Sequence, residues 1–476
     1  MTFKIKQLLK YCVSLVLLIL IFLAGSVIYA LNNNASFTVQ GQSAPHLIIE
    51  NAQIVDPLTD ELLTRSLLIR NGIIQQVTDT LIPRQENELR IDGRGLFVSP
   101  GLIDMHVHIY DRTDLLLNLA HGVTTVRNMH GMPHHFAYRK AMTIGKLSGP
   151  ELIISSPIIN QRSGYVHGNH HWFPDNEQQA IDWIRRFNQQ GYDVIKVYDG
   201  LNEKLLNAII DEAQILNMPV AGHPPFDIPF EQFVTAPLQT IEHSEMLFQA
   251  PLNYSYDQAP LSELIETLVS ANSVITPTLY NFHELALLAR DKQNFLRTLN
   301  IEFVNPTVKD LLKGGPEWAM SLNNSEPLLR KSQYMGELTF ELHKAGVPLV
   351  LGSDAGAGFT LNGDGAIREL SRLRDIGIPA ADLLTIGVSN GANALGHSHR
   401  IGQIKNGFEA DLILTQSNPK DNVATYWQVQ GVINNGEYYN ADAVKLMKQQ
   451  AKNHMSFYEL FGWYLLDQYN RLALNL

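Results

Sequence analysis

The stretch "VSPGLIDMHVHIY", residues 98–110, decides the reading of this chain. It is a short apolar run that carries two histidines, His106 and His108, two positions apart. Side chains alternate faces along a strand, so residues at i and i+2 point the same way. Two imidazoles aimed at one spot suggest a metal, although this pair alone is a weak signal.

Outward from this stretch, residues 99–398 alternate strand-like and helix-like segments. The strand candidates are "LIDMHVHI", "VTTVRNM", "ELIISSP", "DVIKVY", "PVAGHP", "TIEHS", "SVITPTL" and "PLVLGSD". Helical patterns such as "NEKLLNAIIDEAQILN" separate most of them. Eight strands alternating with helices over about 300 residues predict an α/β fold, a (β/α)8 TIM barrel, with an open doubly wound sheet as the alternative. The long segment from Tyr280 to Lys344 is an elaborated barrel connection. On both flanks the texture changes to short β-rich runs with "DP" and "NG" turns, which predict hairpins. The two flanks are expected to pair into one small β-sandwich domain. The predicted organisation is therefore an N-terminal membrane anchor or signal peptide (1–35), a first sandwich part (36–98), the barrel (99–398), a second sandwich part (399–440) and a C-terminal helical segment (441–476).

Active sites of such barrels sit at the C-terminal ends of the strands. There the first strand carries His106 and His108, the fourth Lys196, the fifth His223, the sixth His243 and the eighth Asp354. A lone histidine at a strand end is more often structural than a ligand. Six ionisable residues converging on one mouth are poorly explained by chance burial. Imidazole and carboxylate suit zinc, with manganese, iron or nickel as substitutes. The single cysteine, Cys12, lies in the N-terminal apolar run, so neither a thiolate site nor an intramolecular disulfide is available downstream. Lysine is a poor ligand while protonated, but burial beside cations lowers its pKa. A neutral amine can take up carbon dioxide, and the resulting carbamate has two oxygens that can bridge two cations.

These residues together resemble the amidohydrolase superfamily of metal-dependent hydrolases. The resemblance runs from about His46 to Tyr439. It rests on "PGLIDMHVH", "HGVTTVRN", the Lys, His and His strand ends, "GSDAG" and "IGQIKNGFEADLIL". The chain is most similar to the imidazolonepropionase-like and Xaa-Pro dipeptidase-like branch. The resemblance implies two divalent metal ions, zinc by preference: one on His106, His108 and Asp354, the other on His223 and His243, with carboxylated Lys196 as the bridge. Gly402, Gly407 and Asp411 match the return strand of the β domain and are structural. Two departures matter. Deaminases of the superfamily carry a glutamate three residues after the fifth-strand histidine, where this chain has Phe226. Imidazolonepropionase itself is mononuclear and lacks the bridging lysine.

The reading implied is a hydrolase of carbon–nitrogen bonds acting on a small amide or dipeptide. A water held between two cations loses its proton near neutral pH. The resulting hydroxide would attack the carbonyl, with Asp354 as general acid and base. The alternatives are a mononuclear cyclic-amide hydrolase of imidazolonepropionase type and, in another class, a catalytically silent metal-binding scaffold. Substrate contacts are expected from Tyr198, which shares the strand face of Lys196, and from His167 and His170 in "QRSGYVHGNHHWF". Tyr280 and Phe359 are candidates for the pocket wall. Arg127 reads as structural, and His130, His134 and His135 as non-ligands.

The bulk properties agree with a globular enzyme. The 476 residues are 45% hydrophobic and 17% charged, with a formal net charge of −11. That balance argues against nucleic acid as a partner. Lys4, Lys6 and Lys10 precede an uncharged apolar run from Tyr11 to Ala30, close to the roughly 20 residues a bilayer span needs. Basic residues before the run place the start in the cytoplasm and the rest on the extracytoplasmic side. A cleaved signal peptide is the alternative, with Ile28-Tyr29-Ala30 a poor cleavage site. The C-terminal stretch "FYELFGWYLLDQYNRLALNL" is expected to pack on the barrel, with a membrane or oligomer contact as the alternative.

Overall fold

A computed structural model describes residues 2–32, 36–162, 171–454 and 457–474. The first flank contributes strands β1 (His46–Val55), β2 (Leu62–Arg70), β3 (Ile73–Thr78), β4 (Glu88–Asp92) and β5 (Phe97–Pro100). The central region contributes β6 (Leu102–Val107), β7 (Val123–Asn128), β8 (Glu151–Ile154), β9 (Ile158–Ile159), β10 (His171–Trp172), β11 (Ile195–Val197), β12 (Val220–Gly222), β13 (Leu238–Glu242) and β14 (Ile275–Thr276). The second flank contributes β15 (Leu412–Thr415), β16 (Gly431–Asn434) and β17 (Glu437–Asn440).

The two flanks do pair. They form an eight-stranded sheet in the order β17-β16-β15-β5-β1-β2-β3, with β4 against β1. The join is antiparallel, Ile413 lying opposite Ser99 and Leu414 opposite Val98. Where two facing sheets were expected, this is a single sheet covered on both faces. Leu47, Ile49, Leu67, Ile69, Val98, Leu412 and Leu414 bury one side. Ile48 and Leu68, paired across β1 and β2, bury the other beneath Ile82. Period-two alternation predicts one buried face, and β1 departs from it because Ile82 covers the second.

The central region is TIM-barrel-like α/β with parallel sheets. Strands β6-β7-β8 form one parallel sheet and β10-β9-β11-β12-β13-β14 another. Isolated parallel bridges continue the pairing: Ser155 with Val194, Ile275 with Leu349, and Val107 with Ala355. A continuous closed ladder was expected. Instead, the predicted eighth strand, "PLVLGSD", joins its neighbours through isolated bridges and separate backbone hydrogen bonds, without a continuous ladder. The predicted third strand, "ELIISSP", divides into β8 and β9 around Ser155–Pro157. There Ser155 and Ser156 hydroxyls bond to adjacent carbonyls, and Pro157 offers no N–H. Between strands and helices lies one large apolar core, including Leu116, Leu119, Trp183, Phe187, Ile209, Leu338 and Leu370.

The helix Thr2–Asn32 contains a 24-residue segment, Leu9–Asn32, of mean hydropathy 2.7, long and apolar enough to cross a membrane. Almost none of it is buried in the protein. Its last turns lie against the C-terminal helix Phe457–Leu474. That helix docks on the barrel as expected, its buried Glu459 accepting from Arg112 at 2.9 Å.

One close approach sets the spacing at the site. A Cβ on Gly222, at the end of β12, would lie 2.0 Å from the Val197 carbonyl oxygen of β11. Only glycine lets these strands pair where Lys196 and His223 leave them. Gly222→Ala should destabilise the fold by about 1–3 kcal/mol, the usual cost of overpacking, read as a lower Tm in thermal unfolding. An unchanged Tm would contradict this packing.

Candidate metal centre

His106 is the penultimate residue of β6, and His108 is the first residue beyond the strand. His106 is 1% exposed. Its Nδ1 donates to Glu242 Oε2 at 2.6 Å, which leaves the Nε2 lone pair free for a ligand. That Nε2 lies 3.5 Å from Asp354 Oδ1, and His108 Nε2 lies 3.1 Å from the same oxygen. His243 follows β13, and its ring centre is 4.6 Å from that of His106 and 4.7 Å from that of His223. Thr278 Oγ1 lies 2.6 Å from His243 Nδ1 and orients its ring.

Backbone strain contributes to this arrangement. Asp354, His243 and Thr278 have φ of 52°, 68° and 49°. Such left-handed conformations cost non-glycine residues of order 1–3 kcal/mol each and cluster at functional sites. They turn the chain sharply at the strand ends, so the side chains leave toward the centre.

Two of the buried candidate ligand atoms lack partners among the described residues. Lys196 Nζ and His223 Nδ1 have no hydrogen bond among the described residues. Lys196 is 1% exposed, and the nearest acid to His223 Nδ1 is Asp199, 3.8 Å away. Burial pulls the Lys196 ammonium down to about 8, against the opposing charge of Glu242. Burial, reinforced by Lys196, holds the His106 and His223 imidazoles well below their ordinary range. Burial and the neighbouring rings of His106 and His223 do the same to His243. All three are therefore neutral at pH 7, the state a metal ligand requires. Orphaned donor atoms, neutral imidazoles and one carboxylate fit a divalent cation. Ligand atoms of His106, His243 and Asp354 lie within 4.8 Å of one another. This grouping joins His243 to Asp354, where the resemblance placed them on different ions.

Behind these residues stands a set that sequence reading passed over. Glu242 is fully buried and accepts from Arg127 Nη2 at 2.8 Å as well as from His106. Burial would raise its carboxyl, but Arg127 and Lys196 hold it below its ordinary value. Arg127 also donates to the Met105 carbonyl and to Gln239, at 2.7 and 2.6 Å. Asp104 accepts from the Ser353 hydroxyl at 2.6 Å and its backbone N–H at 3.0 Å, tying β6 to the segment that carries Asp354. Glu242 had a detectable signal, an acid inside an apolar strand directly before His243. Asp104 had one too, sharing the strand face of His106.

The remaining candidates fall as follows. The Tyr198 ring centre lies 3.9 Å from that of His223 and 4.5 Å from that of His171, beside the centre. His167 and His170 lie outside the described residues. Tyr280 is engaged by Arg368, at 3.1 Å from its hydroxyl. His135 is bonded through both ring nitrogens to backbone, at Ile109 and Met132. A cavity of about 910 Å³ lies at the opposite end of the strands, where Arg139 pairs with Asp193 and Arg400 with Glu409.

The amidohydrolase family model matches residues 97–438. The chain belongs to the amidohydrolase family. Membership agrees with the motifs "PGLIDMHVH" and "GSDAG" read from the sequence. Among curated proteins, an adenine deaminase of Geobacillus kaustophilus is 39% identical over 90 residues, 18% of this chain and 15% of that protein. A dihydroorotase of Aquifex aeolicus is 38% identical over 66 residues, 14% of this chain and 15% of that protein. The chain thus spans under a sixth of the length of these curated relatives. Among solved structures, a bottromycin amidohydrolase is 19% identical with a TM-score of 0.71, covering 90% of this chain and 94% of that one. A Xaa-Pro dipeptidase with bound methionine is 20% identical with a TM-score of 0.65, covering 83% and 100%.

The Arg127–Glu242–His106 relay generates a prediction. Glu242→Gln should weaken metal binding about 10- to 100-fold, the usual effect of losing an outer-shell partner, and lower the Tm by leaving Arg127 buried without its counter-charge. Metal titration of the purified variant checks this, and wild-type affinity would remove Glu242 from the centre.

Proposed function

We propose that this chain is a metal-dependent hydrolase cleaving the carbon–nitrogen bond of a small amide, a dipeptide by preference. In this reading two divalent cations, zinc first, are held by His106, His108, His223, His243 and Asp354, with Lys196 carboxylated as the bridge. The observation that carries it is the buried Lys196 Nζ, which lacks a hydrogen-bond partner among the described residues while its charge bears on His106 and His223. A purely structural buried lysine would have a bonded acid. The similarity to a Xaa-Pro dipeptidase and to a putative prolidase from Bifidobacterium longum favours dipeptides. Phe226, in place of the deaminase glutamate, stands against deamination. We divide the chain into a barrel (99–398), a β domain from both flanks (36–98 and 399–440), an anchor (1–35) and a C-terminal helical segment (441–476), with the catalytic part on the extracytoplasmic side.

Bound cations would supply Lewis acidity, acidifying a water and polarising the scissile carbonyl. The chain's own residues do the rest. Glu242 fixes the tautomer of His106. Asp354, partly exposed and beside both first-strand histidines, accepts a proton and returns it to the leaving nitrogen. Tyr198, kept protonated by burial, offers its hydroxyl to the developing oxyanion.

A second reading has support of its own. The tight grouping of His106, His243 and Asp354 would serve a single cation, as in a mononuclear cyclic-amide hydrolase. The deciding experiment is a panel of dipeptides and cyclic amides with metals quantified in the same sample. Two metals per chain with dipeptide cleavage supports the first reading, and one metal with ring opening the second. Metal without turnover overturns both.

Two variants sharpen the test. Asp354→Asn should lower kcat at least ~10²-fold, the low end of acid–base contributions; a metal-loaded variant with full kcat would take that role from Asp354. Lys196→Ala should lose the bridge and much of the bound metal. In the parent protein, carboxylation requires the neutral amine, whose fraction grows as pH rises through about 8. At a fixed concentration of dissolved carbon dioxide, supplied from bicarbonate, reactivation of metal-stripped protein by zinc should therefore be faster at pH 9 than at pH 7. A rate independent of bicarbonate at both values would exclude the carbamate.

A further inference from the structure

The C-terminal helix Phe457–Leu474 has two faces. One lies over the helices that follow β6 and β7 and over β10. Glu459 on this face bonds Arg112, which opens the helix after β6. Trp463 lies 6.1 Å from the ring of His134, on the helix after β7. The Arg471 guanidinium lies 5.7 Å from the ring centre of Trp172, in β10. Arg112 follows the end of β6 that carries His106 and His108, so the helix sits on the mouth side.

The other face meets the apolar N-terminal helix. Phe22 packs against Tyr458 and Phe461, with ring centres 6.0 and 5.7 Å away. A Cβ on Gly462 would lie 2.2 Å from the Ser26 carbonyl oxygen and 2.8 Å from Ala30 Cβ. Small residues at such a crossing let two helices approach closely, as membrane helices do. Both contacts ascend in the same direction, so the two helices run side by side. Phe22, Ser26 and Ala30 belong to the membrane-length segment Leu9–Asn32. Beside them Phe457 and Tyr458 are 48% and 57% exposed, and Tyr464 is exposed too. The one charge in the first two turns of the C-terminal helix, Glu459, is turned inward onto Arg112. Phe22 is the fourteenth residue of that 24-residue segment, so these uncharged rings stand level with its outer half, where apolar and aromatic side chains face lipid.

We propose that the N-terminal helix is retained in the mature protein and that the first turns of Phe457–Leu474 form a second lipid contact beside it, holding the mouth of the metal centre close to the outer surface of the bilayer. The occupant of the exposed aromatic face is phospholipid. The fit at Gly462 is what a removed signal peptide would not need. This inference rests on the anchor reading and is independent of the substrate.

The test uses full-length protein reconstituted in vesicles of phosphatidylethanolamine and phosphatidylglycerol. In a Cys12→Ser background, an environment-sensitive fluorophore is attached to Tyr458→Cys, to Tyr469→Cys or to Leu311→Cys, an exposed site on the barrel connection. The label at 458 should be blue-shifted and at least twofold quenched by nitroxide lipids. The label at 311 should show neither effect. Position 469, eleven residues farther along a helix rising about 1.5 Å per residue, should be quenched less than 458. Intact mass of membrane-fraction protein should include residues 1–30. A retained N-terminus with 458 as water-exposed as 311 overturns the lipid contact alone. A blue shift at 458 without lipid quenching assigns the face to a second copy of the chain and also overturns it. A mass lacking residues 1–30 overturns both the contact and the anchor.

Discussion

The backbone hydrogen bonds between β6 and residues 349–355 govern the rest of the molecule. Met105 N–H donates to Leu351, Asp354 N–H to His106 and His108 N–H to Ala355, all at 2.7–2.8 Å. They bring the first strand of the central region against its last extended segment, and Asp104 clamps the same pair through Ser353. Without this join the histidines and the aspartate would stand at opposite ends of a long chain. With it, Asp354 Oδ1 faces both first-strand imidazoles. The left-handed backbone at Asp354 is held by these bonds, which offset a strain of about 1–3 kcal/mol.

Charge burial is the second consequence. Lys196, Glu242, Arg127 and Asp104 are all buried in one small volume. Charges removed from water at this density are costly unless each faces an opposite charge or a ligand. Arg127 and Glu242 answer one another, and Asp104 is satisfied by Ser353. Lys196 and His223 keep unpartnered atoms among the described residues. The imbalance falls at the centre of the ligand set, where a divalent cation and a carbamate would remove it.

Much of this could be read in the chain itself. Alternating apolar runs and helical patterns located most of the central strands, and the ionisable residues at the ends of five of them were the site candidates. The flanking β segments were recognisable as partners by their turns. Other features were not legible. The third strand breaks at Ser155–Pro157 and the eighth forms no continuous ladder, because ladder formation depends on neighbours that a local pattern does not contain. One covered sheet replaced the expected sandwich for the same reason: Ile82, remote from β1 in sequence, covers its second face. Glu242 and Asp104 were overlooked since an acid within a strand declares no role until its partner, His106 or Ser353, is in view.

By itself the sequence determined the kinds of donor atoms and the strand ends they leave from, including the i, i+2 spacing of His106 and His108. Those follow from covalent geometry and strand periodicity. It also determined an apolar segment of membrane length, since composition suffices for that. Only the tertiary structure decided which donors meet. The Asp354 oxygen stands near both His106 and His108, the His243 ring packs on both His106 and His223, and Glu242 turns His106 toward the centre. Distances of a few ångströms between residues far apart in the chain depend on how strands register and how helices pack over them, and no local pattern encodes that sum.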